Sequence, residues 1–390
     1  MATILAERMS KFSGSPTSAL IAKVAELKRQ GKDIISLNVG EPDFGTPDYI
    51  KVAGIKAITD SFTKYTPGNG ILELREEIIK KLKKENGIEY ALNEVTTAVG
   101  AKQAIASTMM VIAGPGDEVL LPIPCWVSYT EMIRLAGADP VLVPVREDNY
   151  ELNLDSIQSA ITPRTKAIII CTPNNPTGVV YSAQTLTRMA DILTEKSKAF
   201  GHNIFLVSDE PYRDIAFDGK KVPYPAAFYP HTLTCFSYSK SLSLPGERLG
   251  YVAVRPGCEG EDILVDMMAQ ISRFTGHNCP PSIIQRAVGR CQEVTSDLSV
   301  YETNMNLLYD KLTALGFEVE RPGGTFYIFP KALEEDANAF CMKAREFDLL
   351  LVPSDTFGVK GYVRLAYCIN TEKVKRSLPA LEKLAAAYRK

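Results

Sequence analysis

The chain has 390 residues, 45% apolar and 23% charged, with 44 basic against 46 acidic side chains and a net charge of −2. That length exceeds one ordinary core and predicts two domains, while the balanced charge argues against nucleic acid or an anionic membrane as partner. Met1–Gly14 lacks the apolar core of a secretion signal, no run is long enough to span a bilayer, and no two of the eight cysteines stand in a Cys-x-x-Cys spacing, so the expected setting is a reducing cytoplasm without disulfides or a zinc site.

In chain order, Ser15–Gln30 reads as a helix stopped by Gly31, Ile34–Leu37 as a short strand, and Asn38-Val39-Gly40-Glu41-Pro42-Asp43 as a turn-rich loop. Tyr65-Thr66-Pro67-Gly68-Asn69-Gly70 is an exposed turn before a helix at Glu73–Glu85. Glu73 stands where a dinucleotide fingerprint needs its third glycine. No Walker loop, His-Glu-x-x-His or Gly-x-Ser-x-Gly occurs, and only three histidines are present, which argues against nucleotide-triphosphate chemistry and histidine-dependent hydrolysis.

From Val95 the pattern becomes strand, loop, helix, repeated. Val95–Val99 is a strand, Gly100-Ala101-Lys102 a tight turn and Gln103–Ile112 a helix whose first N–H groups suit an anion. Read alone, the same stretch serves equally as a plain connection. Glu118–Leu121 is a strand leading to Trp126, the single tryptophan, which suits either core filling or stacking on a flat ring. Lys166–Cys171, Ile204–Val207 and Leu233–Phe236 are further strands, and Thr185–Phe200 is a helix.

The ends of these last three strands carry Asn175, Asp209 with Tyr212, and Lys240. In an open α/β sheet, ligands sit outside the carboxyl ends of the strands, so an amide, a carboxylate, a phenol and an amine face one crevice. Lys240 and Arg248 lie between two apolar segments, Leu233–Phe236 and Leu249–Val254. Desolvation there lowers an amine's pKa and makes it a nucleophile, and an arginine suits a fixed anion such as phosphate. Taken without the other strand ends, the pair is also what an ordinary surface loop carries.

The last hundred residues change character: helix Tyr301–Leu315, strand Phe317–Glu320, a Pro322-Gly323-Gly324 turn, strand Thr325–Phe329, helix Ala337–Phe347, strands Leu349–Val352 and Tyr362–Tyr367, and helix Glu372–Tyr388. This is a smaller α+β unit. Arg364 sits mid-strand among apolar neighbours, where its charge needs a partner such as a carboxylate, internal or brought by a ligand.

Ordered blocks then give a resemblance. Gly-Glu-Pro-Asp-Phe at 40–44, Tyr-Thr-Pro-Gly-Asn-Gly-Ile at 65–71, Gly-Asp-Glu-Val at 116–119, Trp-Val-Ser-Tyr at 126–129, Asn-Asn-Pro-Thr-Gly at 174–178, Ser-Asp-Glu-Pro-Tyr at 208–212, the stretch around Lys240, and Tyr-Val-Arg-Leu at 362–365 resemble the class I/II aminotransferases, pyridoxal-phosphate enzymes of fold type I. The prokaryotic aspartate aminotransferase subgroup is the nearest in pattern.

The resemblance implies an α/β fold with a mostly parallel seven-stranded sheet between helices plus a smaller α+β domain, divided as 1–47 (a segment packing with the small domain), 48–285 and 286–390. It implies pyridoxal 5′-phosphate held covalently by Lys240, its ring nitrogen paired with Asp209, its phenolic oxygen bonded by Tyr212 and Asn175, and its ring stacked on Trp126. The phosphate would be held by Ser237, Arg248, the N–H groups of Ala101 and Lys102, and Tyr65 from a second subunit of a homodimer. Arg364 would fork onto the substrate α-carboxylate with Asn175 and Gly40, while Lys102, Ser15 and Thr17 would receive a distal carboxylate.

The implied reaction is ping-pong transfer of nitrogen between an L-amino acid and a 2-oxo acid, with 2-oxoglutarate as acceptor and aspartate as the first candidate donor. Gly276-His277-Asn278-Cys279-Pro280 and Ser243-Leu244-Pro245-Gly246-Glu247 depart from the subgroup's pattern, so alanine, aromatic or broader dicarboxylate donors stay open. A carbon–sulfur β-lyase would use the same grip on the cofactor. A cofactor-binding regulator is a reading of another class, disfavoured by the near-neutral charge.

Overall fold

The computed structural model describes residues 4–12, 24, 26, 29–291 and 295–389. The predicted helix at 15–30 lies largely outside them, as do Ser15 and Thr17. The first strand, β1, is Ile35–Ser36. The central sheet takes β2 (Val95–Ala98), β3 (Glu118–Ile123), β4 (Asp139–Pro144), β5 (Thr165–Cys171), β6 (Phe205–Asp209), β7 (Thr232–Ser237) and β8 (Gly250–Val254). After it come β9 (Tyr327–Ile328), β10 (Leu349–Leu350), β11 (Val352–Pro353) and β12 (Val363–Ala366).

The seven central strands lie in the order β2-β8-β7-β6-β5-β3-β4, all parallel except β8, which runs against both neighbours. Successive residues of β5 explain the layering. Ile168 and Ile170 pack with Leu186, Met189 and Leu193 of helix Ala183–Phe200, whereas Ala167 and Ile169 share a cluster with Ala104, Ile105 and Met109 of helix Gly100–Ile112. A strand buried on both faces needs this uninterrupted apolar run rather than alternation. Each fully buried side chain of this kind contributes roughly 1.5–3 kcal/mol, which lets the sheet tolerate uncompensated polar groups at one edge.

The pairing pattern makes β2, β3, β5, β6 and β7 run the same way, so they end at the same edge. The turn expected at Gly100-Ala101-Lys102 is instead the first turn of the helix itself, which starts at Gly100 with Val99 as its cap. β7 stops at Ser237, whose hydroxyl accepts the Ser239 N–H and caps a single helical turn, Tyr238–Ser241, carrying Lys240.

The C-terminal third forms a three-stranded sheet, β11-β12-β9, antiparallel throughout. Ile35–Ser36 pairs in parallel with Leu349–Leu350, and the Ala366 N–H donates to the Leu37 carbonyl, so the N-terminal segment is sewn to this part of the chain. Two expectations fail here. Phe317–Glu320 forms no strand, its backbone meeting the sheet only where the Lys331 N–H donates to the Glu318 carbonyl. Leu349–Val352 is two strands in two different sheets, because each half pairs with another partner.

Candidate active site

A cleft of about 530 Å³ opens at the shared strand edge. Eleven of the fourteen residues singled out from the sequence line it: Gly40, Ala101, Lys102, Trp126, Asn175, Asp209, Tyr212, Ser237, Lys240, Arg248 and Arg364. Tyr65 does not. It is 91% exposed and borders a separate surface cleft with Arg273 and Asn278, so within one chain it has no place in the site.

Asp209 is the last residue of β6, in register between Cys171 and Cys235, and is buried. Its Oδ2 accepts a hydrogen bond of 2.5 Å from the Tyr129 hydroxyl, and Oδ1 has no partner among the described residues. Burial pushes its pKa up to about 7, against the Tyr129 bond and with help from the neighbouring Glu210 charge. A carboxylate held this way is ready for a cationic or N–H partner from the cleft.

Lys240 is half-buried, and its ammonium donates to the Gly40 carbonyl at 2.7 Å. Loss of water around the amine pushes its pKa down to about 8. Cys368 and Glu41 oppose that shift, and the Arg364 and Arg248 charges add to it. Near neutral pH this lysine is therefore far closer to its free-base, nucleophilic form than a solvated one.

On one flank stands a donor-rich cup. The Arg248 guanidinium donates to the carbonyls of Pro245 (2.8 Å) and Val99 (3.3 Å). The Ser237 and Ser239 hydroxyls lie 2.7 Å apart, and the first N–H groups of helix Gly100–Ile112 complete the cup. Gly100 has φ +78°, and a Cβ there would come within 2.8 Å of an Arg248 nitrogen, so only glycine lets the helix start this close. Oriented N–H groups and a guanidinium in this arrangement suit a phosphate.

Arg364, also in the cleft wall, is buried mid-strand in β12. Its expected carboxylate partner is absent among the described residues. One guanidinium nitrogen donates to Asn175 Oδ1 (3.0 Å), another to the Asn38 carbonyl (3.2 Å), and Nε has no partner among the described residues. Tyr327 and Phe357 lie on the guanidinium at 4.2 and 5.0 Å. Neutral partners position the charge without cancelling it, which leaves it for an anion entering the cleft.

Lys102 places its ammonium 5.0 Å over the Trp126 ring, and Trp126 packs edge-on against Tyr129 with centroids 5.4 Å apart. Burial and the Arg248 charge lower the Lys102 pKa. Three further residues of the site were not read from the sequence as functional. Tyr129 closes the Trp-Val-Ser-Tyr block, Tyr327 lines the cleft with its hydroxyl 3.4 Å from that of Tyr212, and Asn38 braces Arg364. An anion cup on one side and an unpaired buried carboxylate oxygen on the other fit a heteroaromatic phosphate with a basic ring nitrogen, between them an amine suited to a carbonyl.

Comparison with known proteins agrees with this chemistry. The family model for aminotransferase class I and II matches residues 32–381. The aspartate aminotransferase of Geobacillus stearothermophilus is 37% identical, with 98% of this chain and 99% of that protein covered. The probable aspartate/prephenate aminotransferase of Aquifex aeolicus is 36% identical over 97% of this chain and 98% of its own length. Among solved structures, the aspartate aminotransferase from Thermus thermophilus with maleate superposes with a TM-score of 0.91 at 34% identity, covering 98% of this chain and all of that one.

Proposed function

Because this chain belongs to the class I and II aminotransferases, which use pyridoxal 5′-phosphate, we infer that its transamination is carried out in the strand-edge cleft, with Lys240 as the residue that bonds the cofactor. The observation that carries the assignment is the pairing of an amine depressed to about 8 with the unpaired buried Asp209 oxygen in one cleft. When bound, the cofactor supplies a carbonyl for amine capture and an electron sink for charge released at the substrate Cα.

The protein's own groups supply the rest. Asp209, through its unpartnered oxygen, would hold a proton on the ring nitrogen, and Tyr212 and Asn175 would hold the ring oxygen. Ser237, Arg248 and the N–H groups of Ala101 and Lys102 would hold the phosphate, and Trp126 would wall the ring. The Lys240 amine would serve as the base that moves the proton at the substrate Cα. Arg364 binds the α-carboxylate, assisted by Asn175 and the Gly40 backbone.

Aspartate, with 2-oxoglutarate as acceptor, is the donor this reading favours, and aspartate transaminase the activity. The Lys102 ammonium at the cleft wall suits a distal carboxylate, and relatives at 36–37% identity are named for aspartate. Prephenate, a dicarboxylate in the name of one of them, extends the same reading.

Two copies complete the site in this reading. Tyr65 stands out into solvent, and Val52, Ile55 and Phe274 are exposed large apolar side chains of the kind an obligate homodimer covers. The division into 1–47, 48–285 and 286–390 is supported by the pairing of Ile35–Ser36 with Leu349–Leu350. A cytoplasmic setting is supported by eight free cysteines and by the lack of any helix, among the described residues, able to cross a membrane.

The test is to load the protein with pyridoxal phosphate and follow its visible absorbance on adding single donors without an oxo acid. L-Aspartate should bleach the band fastest, and Lys240→Ala should abolish both band and turnover. Steady turnover of cystathionine without an oxo acid would instead mark a β-lyase.

A further inference from the structure

Tyr327 is buried at the centre of the site and touches three of its working parts. Its ring lies under the Arg364 guanidinium, 4.2 Å from ring centre to charge, and its hydroxyl is 3.4 Å from the Tyr212 hydroxyl. That same hydroxyl presses on Gly40, whose carbonyl receives the Lys240 ammonium: a Cβ at position 40 would fall 1.8 Å from it. The groups packed around the phenol that can carry charge or a proton are Arg364, Tyr212, Cys171 and Cys368. Burial pushes the Tyr327 pKa up and the Arg364 charge pulls against that rise, while burial and the neighbouring Tyr327 hydroxyl push Tyr212 well up. At this separation either hydroxyl can donate, and donation from Tyr327, whose ring carries the Arg364 cation, leaves Tyr212 free to donate onward. A chain of bonds polarised in this way strengthens its last member.

We propose that Tyr327 is a positioning residue for the transamination, one that joins the carboxylate-binding Arg364 to Tyr212 and aims the Tyr212 proton into the cleft. The inference rests on the cofactor-binding reading above. Without the Tyr327 hydroxyl, Tyr212 becomes a weaker donor to the ring oxygen. More negative charge stays on that oxygen, and a proton at the Lys240 nitrogen is held more tightly.

The experiment compares wild-type holoenzyme with Tyr327→Phe, Tyr212→Phe and the double variant, reading the pH midpoint of the visible band and the kinetics with aspartate. Tyr327→Phe keeps the ring under Arg364, so KM should stay within about twofold while kcat falls about fivefold and the midpoint rises by about half a pH unit. In the Tyr212→Phe background the same change should add little, since the two act through one bond. Tyr327→Leu, which removes the ring as well, should raise KM about tenfold through Arg364. An unmoved midpoint with unchanged kcat overturns the proposal, as does an equal shift with Tyr212 already replaced. A wild-type protein that develops no visible band overturns the cofactor reading itself and this proposal with it.

Discussion

Tyr129 donates its phenolic proton to Asp209 Oδ2 across 2.5 Å, and the other carboxylate oxygen faces the site with no partner among the described residues. The two residues are 80 positions apart, one in the first turn of the helix after β3 and the other at the end of β6. The bond fixes the carboxylate plane, so the free oxygen has one direction in which to accept. A hydrogen bond to a charged group is worth about 1.5–3 kcal/mol. Tyr129→Phe should therefore loosen cofactor binding about 10- to 100-fold, measurable by equilibrium dialysis, with the far-UV spectrum unchanged. Wild-type affinity in the variant would mean that Asp209 is oriented by its strand alone.

The raised Asp209 pKa makes a signed prediction for the cofactor-free protein. Its carboxyl titrates near 7 when folded and at about 3.9 when unfolded, so the folded state binds the proton more tightly. The resulting stability is fully present below the unfolded value and is lost as pH rises through about 7. Asp209→Asn never ionises. The Tm difference between this variant and wild type should thus move in the variant's favour between pH 5 and pH 8, by about 2 °C or more. Lys240 shifts the opposite way, but it is present in both proteins and cancels. A difference that stays flat over this range would place the carboxyl near its ordinary value.

Arg364 holds its fork with Asn175 and the Asn38 carbonyl, two neutral acceptors. Arg364→Lys keeps the charge and loses the fork and the stacking on Tyr327. KM should rise about 100-fold for aspartate and alanine alike, because both carry the α-carboxylate. A loss confined to aspartate would move Arg364 to side-chain recognition.

Lys102 should behave in the complementary way. Lys102→Ser removes an ammonium from the cleft wall, where it lies over the Trp126 ring. KM for dicarboxylates should increase about 10- to 100-fold, with alanine changed by less than about threefold. Equal effects on the two donors would leave Lys102 with the phosphate end only.

What could be read from the residues alone followed local chemistry. The apolar run 166–171 is nearly the whole of β5, and the polar clusters after β5, β6 and β7 do line one cleft. Boundaries moved where the whole fold rather than the local run decides them: Gly100–Lys102 is the first turn of a helix, and 317–320 makes one backbone bond to Lys331 without forming a strand. Tyr129, Tyr327 and Asn38 were passed over for a different reason. Their roles come from partners 80, 115 and 326 residues away, and nothing in a single buried tyrosine or asparagine announces which distant group it will meet.

The reactive side chains of the central sheet stand at strand termini, or in the first residues beyond them, rather than along the covering helices. The outer surfaces of helices such as Ala183–Phe200 are consequently free to drift, shorten or acquire insertions without moving a single atom of the chemistry. Changes at cleft-wall positions away from those strand ends, such as 41, 102 and 128, can then alter what the cleft admits while the strand-end side chains stay where they are.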